Sequence, residues 1–277
     1  MNIVNVPPRK VNSKGGSLRR NAVKATGRNF KLEIEYDGTR YYGWQVQNGK
    51  KTNYQSSQTI QHILEEVLKK VLQEDIHLIV AGRTDSGVHA LAQVANFKSV
   101  SRMSLEKLRW ALNCLLPEDI KVTRIKYVAL DFNSRFSAKS KLYRYTILNR
   151  KYSSALLANR VYFFHHHLDV GLMRREAREL LGKHNFAAFQ AKEIRQRNPV
   201  RTIKSIKITK DKALLYIDIQ ADSFLYNMVR NIAGTLLEIG RGRFAPGSME
   251  NILKMRNRKL AGPTLPAKGL CLVKVKY

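Results

Sequence analysis

From Phe30 to the C-terminus, apolar residues switch repeatedly between a period of two and a period near 3.6. That alternation restricts the fold more than any other property of the chain. In "FKLEIEY", Phe30, Leu32, Ile34 and Tyr36 alternate with Lys31, Glu33 and Glu35, the pattern of a strand with one buried face. Asp37-Gly38 then supplies turn chemistry. After a polar loop at about 47–57, Ile60, Ile63, Leu64, Val67, Leu68, Val71 and Leu72 fall at helical spacing, which predicts the clearest amphipathic helix in the chain.

The same switching continues downstream. "IHLIVAGR" and "LAQVANF" predict two strands around a glycine turn, and a helix follows from about Ser104 to Leu116, ended by Pro117. "DIKVTRIKYVAL" and "SKLYRYTIL" predict further strands, and "RVYFF" looks extended. Asp169 can cap a helix through Leu181. "TIKSIKIT" and "ALLYIDIQ" predict a hairpin with Asp211-Lys212 at its turn. Met228, Val229, Ile232, Leu236 and Leu237 line a helix closed by Gly240, and "GLCLVKVKY" is a final strand. Strand–helix–strand–strand order in both parts predicts an α+β fold with antiparallel sheet and helices packed on one face. The 277 residues suffice for one large domain or two ordinary ones. The expected division falls between 135 and 150, giving units at 29–140 and 141–277.

Residues 1–28 carry seven basic side chains and no acid. They read as a disordered basic arm, with an organellar transit peptide as the alternative and no apolar run for a secretory signal. No apolar stretch approaches the ~20 residues that span a bilayer. Over the whole chain 50 Lys and Arg face 21 Asp and Glu, a formal charge of +29. Such a field attracts polyanions, nucleic acid foremost and an anionic membrane surface second. Cys114 and Cys271 are the only cysteines. Both have apolar neighbours and read as buried free thiols.

Against that charge, one acid stands out. In "AGRTDSGVHALAQVANF", Asp85 lies two residues from Arg83 in a turn bounded by Gly82 and Gly87. The glycine spacing resembles a phosphate-binding loop, but Val88-His89 stands where Lys-Ser/Thr is needed. Asp85-Ser86-Gly87 is either a structural Asx turn or a rigidly presented carboxylate kept ionised by nearby positive charge, able to act as a nucleophile. Arg230, in the otherwise apolar "FLYNMVRNIAG", is either a surface residue or the partner of a carboxylate such as Asp85. Tyr143 and Tyr145 share one strand face near Lys141 and Arg144. They pack in a sheet or stack on an extruded base. His165-His166-His167 lacks ligand spacing for a metal.

Taken together, "YDGTRYYGWQVQ" (36–47), "QTIQ" (58–61), "AGRTDSGVHALAQVANF" (81–97), "ALNCLLPEDIKV" (111–122), "FSAKSKLYRYTI" (136–147), "NPVRTI" (198–203), "FLYNMVRNIAGTLLEIGRG" (224–242) and "LPAKGLCLVKVKY" (265–277) resemble the tRNA pseudouridine synthase A family. They run in order from about Phe30 to the end. The resemblance implies two ferredoxin-like halves whose antiparallel sheets join across a central basic cleft. It implies conversion of uridine to pseudouridine at positions 38, 39 and 40 of the tRNA anticodon arm. It implies Asp85 as the nucleophile, Arg230 as its partner and Tyr143 as the base-stacking tyrosine, which could also assist as base. Arg83 could anchor phosphate or help open the stem. It further implies a homodimer with no cofactor. The chain is expected in the cytoplasm, or in an organelle matrix if residues 1–28 are a transit peptide, and no metal is expected. A non-catalytic tRNA-binding protein or RNA chaperone, and a ribosome-associated basic protein, are the competing functions. The arm before Phe30, a longer loop at 47–57 and Tyr226-Asn227 depart from the family pattern.

Overall fold

The computed structural model describes residues 27–45, 59–191 and 198–277. The expected loop at 47–57 lies outside the described residues, as does the N-terminal arm up to Thr26. Arg28, the arm's last residue, already belongs to the first strand.

Among the described residues ten strands form one sheet. They are β1 (Arg28–Tyr36), β2 (Ile79–Val80), β3 (His89–Ser99), β4 (Ile120–Val128), β5 (Ser140–Asn149), β6 (Tyr162–Phe164), β7 (Gly182–Asn185), β8 (Val200–Asp211), β9 (Leu214–Ala221) and β10 (Leu270–Lys276). The order is β4-β1-β3-β10-β5-β9-β8-β7, with β2 beside β3 and β6 beside β5. Pairing is antiparallel except between β3 and β10 and between β5 and β6. The C-terminal strand therefore sits in the middle. It joins strands made before residue 130 to strands made after 139, through Cys271 opposite His89 and Leu272 opposite Ala90.

Among the described residues there are five α-helices: α1 (Ile60–Leu72), α2 (Leu105–Leu115), α3 (Val170–Ala177), α4 (Met228–Gly240) and α5 (Ser248–Met255). The caps are those the sequence offers. The side chains of Thr59, Ser104 and Asp169 accept from the amides of His62, Lys107 and Leu172, satisfying donors that a helix start leaves open. The alternating residues of β1 are buried as expected, and Phe30 stacks on Phe97 of β3 with centroids 5.0 Å apart.

α4 is the most enclosed helix; from Asn231 to Gly240 every residue is buried. A Cβ on its Gly234 would lie 1.8 Å from the Pro263 carbonyl oxygen. Only glycine lets the 262–265 segment press against the helix backbone here, and that contact fixes the position of Leu265.

Three expectations need correction. Cys114 is exposed rather than buried. Leu108 and Leu112 form the buried stripe of α2, and Cys114 lies about 200° around the helix from Leu112. "IHLIVAGR" contributes only the two residues of β2, because Ala81 onward is drawn into a loop. The sequence reading also lacks β7 and α5, both short. Cys271 is half-buried, and burial pushes its thiol up to about 11.

Candidate active site

Asp85 sits in the loop between β2 and β3, and the surrounding chain holds that loop from several sides. Ala81 N–H donates to the Val94 carbonyl at 2.8 Å, closing the loop at its base. Gly87 turns the chain at φ +76°, and Val88 N–H donates to the Asp85 carbonyl at 3.2 Å. The 41–44 segment then docks by backbone. Trp44 N–H donates to Thr84 O (3.0 Å), Gly87 N–H to Tyr41 O (3.3 Å) and Ser86 Oγ–H to Tyr41 O (3.1 Å). The approach is close enough to exclude a side chain. Gly43, at φ +86°, would place a Cβ 2.6 Å from Thr84 O and 3.0 Å from the Asp85 carbonyl carbon.

From beneath, Tyr36 Oη lies 2.7 Å from Thr84 Oγ1, and Gln93 Nε2 donates to Gly82 O at 2.8 Å. Tyr36 is fully enclosed, and burial raises its pKa far above the usual phenol value. It acts at neutral pH as a fixed neutral strut. On another side, the methyl of Ala267 lies 3.4 Å from where a Cβ on Gly87 would be. The ring of His89 connects the Gly38 amide (3.0 Å) to the Lys268 carbonyl (3.2 Å).

Arg230 reaches this loop from the first turn of α4. Its Nη1 is 3.6 Å from Asp85 Oδ2, with side-chain exposures of 16% and 33%. The distance is that of an ion pair rather than a hydrogen bond. The guanidinium is held elsewhere: Nε donates to Leu265 O at 2.7 Å and Nη1 to Asn227 Oδ1 at 2.9 Å. Asn227 caps the helix at φ +59°, a conformation that asparagine tolerates better than most residues. Arg230 is therefore largely buried and lies at ion-pair distance from Asp85.

Tyr143 comes from β5, which pairs in unbroken register with β9. Lys141, Tyr143 and Tyr145 thus share one face, and Arg144 points to the other. There Arg144 Nε and Nη2 donate to the two carboxylate oxygens of Asp218 at 2.7 and 2.8 Å. Tyr143 is buried and meets Phe224 edge-on, centroids 5.1 Å apart. Burial first, then the neighbouring Tyr36 and Asp85, push its pKa far up. Its hydroxyl therefore keeps its proton at neutral pH, and the ring offers a flat, uncharged wall. Tyr145 is purely structural: it is fully buried, and its hydroxyl donates to Pro266 O at 2.8 Å.

Arg83 is exposed, two residues from Asp85 on the same loop. The three histidines at 165–167 lie exposed just after β6. Among the described residues no group of three His, Cys, Asp or Glu side chains could hold a metal ion. Sequence reasoning assigned no role to the residues that hold the site. The Gly43 close approach, the Tyr41 carbonyl, Gln93, Asn227 and the Leu265 carbonyl carry no chemical signature of their own. The "YDGTRYYGW" and "LPAKG" runs were the available signal.

A pinned carboxylate, one-third exposed, beside a guanidinium and near a neutral aromatic wall can attack an electrophilic carbon of a planar ligand. A model of the family described as tRNA pseudouridine synthase matches residues 33–137 and 177–277. The chain is 44% identical to tRNA pseudouridine synthase A of Caldicellulosiruptor saccharolyticus and 44% identical to that of Acetivibrio thermocellus, each over 250 residues that cover 90% of this chain and all of the relative. It is 45% identical, with the same coverage, to tRNA pseudouridine synthase A 2 of Clostridium perfringens.

Proposed function

Since the chain belongs to the tRNA pseudouridine synthase family, enzymes that isomerise uridine to pseudouridine in tRNA, we propose that Asp85 is its nucleophile and the anticodon arm, at positions 38, 39 and 40, its target. The observation that carries the reading is the joining, at one loop, of Asp85 with Arg230 at 3.6 Å and with the wall of Tyr143.

The chain's charge of +29 supplies phosphate contacts, which offset the few kcal/mol needed to unstack the target uridine. Those contacts line a basic cleft between two ferredoxin-like halves, residues 29–140 and 141–277. Arg83, at the rim, anchors a phosphate or helps open the stem. Asp85 attacks by one of two routes. At C1′, its oxygen forms the new bond while the C1′–N1 bond breaks and uracil leaves with the electron pair. At C6, it adds to the ring before the same bond breaks. In both routes uracil turns within the pocket and C5 bonds to C1′. In the first route that bond displaces the Asp85 carboxylate from C1′, and the C5 proton is then lost. In the second the C5 proton is lost as the Asp85–C6 bond breaks and the carboxylate leaves. Either way the ring is restored, N1 ends protonated and Asp85 is free again.

Arg230 holds the carboxylate aimed through the cycle. Tyr143 keeps the loosened base stacked and the pocket dry. Its protonated hydroxyl suits it to stacking more than to accepting the C5 proton. The reading extends to a cytoplasmic homodimer that contacts tRNA with both subunits and uses no cofactor. Purified protein incubated with unmodified tRNA should form pseudouridine at 38–40, mapped by position. Asp85→Asn should abolish it while tRNA affinity stays within about threefold. Pseudouridine formation by Asp85→Asn at the wild-type rate would refute the assignment, and none from wild type would leave a binding protein.

A further inference from the structure

Lys141 is the one member of the site's strand face that the chemistry above leaves without a task. It is 9% exposed, far below what is usual for a lysine. Its side chain runs along the Asp85 loop. Cε is 3.0 Å, and Nζ 3.9 Å, from the position a Cβ would hold on Gly82, three residues before the nucleophile. Tyr143 follows two residues later on the same face of β5.

Among the described residues, Nζ has no hydrogen bond and no ion pair within 4.0 Å. Asp222 exerts a favourable pull, but its Oδ1 already accepts from the Thr202 and Ser223 amides. Arg135 pushes the other way. Burial outweighs both, and the lysine pKa lies below its ordinary value. A partly desolvated cation without a close counter-ion is costly to hold. Here it lies beside the nucleophile's loop, where an incoming anion can supply the missing partner.

We propose that Lys141 is a positioning residue whose ammonium binds a phosphodiester flanking the target uridine. It holds that nucleotide's backbone at Gly82 while its base lies against Tyr143. The inference rests on the synthase reading above. The flanking phosphate is the anion that necessarily arrives with a uridine placed at Asp85. A lysine held against backbone presents its charge at a defined point.

The test pairs Lys141→Met with anticodon-arm RNA carrying a neutral methylphosphonate at the linkage 5′ or 3′ of the target uridine. Neutralising one of these linkages should lower wild-type affinity about 10- to 100-fold, the worth of one charge-assisted hydrogen bond. Lys141→Met should show that loss already on natural RNA, and no further loss at that linkage. Its log K against log salt slope should be shallower by about 0.7 to 0.9. Its melting temperature should be equal to or above wild type, because a partly desolvated charge without a close counter-ion is gone. Equal methylphosphonate sensitivity in both proteins would overturn the proposal. So would a Lys141→Met protein that melts lower and loses activity whatever the linkage. Absence of pseudouridine from wild type on natural RNA is a separate result, and it defeats the synthase reading first.

Discussion

Replacing Gly43 by alanine tests whether backbone contact alone sets the position of Asp85. Gly43 lies at φ +86°, so a Cβ costs about 1–2 kcal/mol in backbone conformation. Gly247 lies at φ +84° with nothing within 4 Å of its would-be Cβ. Gly247→Ala therefore shares the conformational cost and lacks the collision. At Gly43 the new methyl meets Thr84 O at 2.6 Å, and ordinary contact begins at 3.4 Å. The Asp85 loop must yield by about 0.8 Å or lose its hydrogen bond from Trp44 N–H.

A misplacement of about 1 Å is worth roughly 10²-fold in rate. Single-turnover pseudouridine formation can be followed by tritium release from C5-labelled tRNA. Gly43→Ala should be slower by roughly 30- to 100-fold on that scale. Gly247→Ala should stay within about threefold of wild type, and both should melt a few degrees lower. If Gly43→Ala retains activity equal to Gly247→Ala, the 41–44 segment does not position Asp85, and the proposed clamp is refuted.

Other outcomes follow from the same geometry. Arg230→Lys offers one nitrogen where Arg230 satisfies Leu265 O, Asn227 Oδ1 and Asp85. Its kcat should fall at least tenfold with tRNA affinity little changed, and a kcat within twofold of wild type would refute the pairing role. Tyr143→Phe keeps the wall and should retain activity within about tenfold, whereas Tyr143→Ala should lose more. A Tyr143→Phe protein as inactive as Tyr143→Ala would instead make the hydroxyl essential. Cys114 is exposed while burial raises Cys271 to about 11. Iodoacetamide at pH 8 should therefore label Cys114 first, as read by peptide mass. Since the folded value of Cys271 lies above the ordinary 9.0, its contribution to stability is complete below pH 9. It should be lost as pH rises toward 11, a slope that Cys271→Ala reduces in alkaline melts.

The sequence by itself determined much of the secondary structure, because burial on one face writes its period into the residue order. β1, α1, α2, the β8–β9 hairpin, α4 and β10 were legible for that reason, and the Asp169 cap was readable from its own side chain. Asp85 was legible because a lone acid among glycines in so basic a chain demands an explanation. Arg230 was ambiguous: an arginine on an apolar helix has the same pattern whether it meets water or a carboxylate. What only the tertiary structure decided was adjacency. It placed β10 between β3 and β5, so that strands made early and late meet in one sheet. It pressed Gly43 onto Thr84, Gly234 onto Pro263 and Lys141 onto Gly82. These contacts run largely through backbone atoms, which every residue type carries alike, so no local pattern of side chains encodes them. The candidate site groups are written in residue identity, and the distances between them arise from long-range packing.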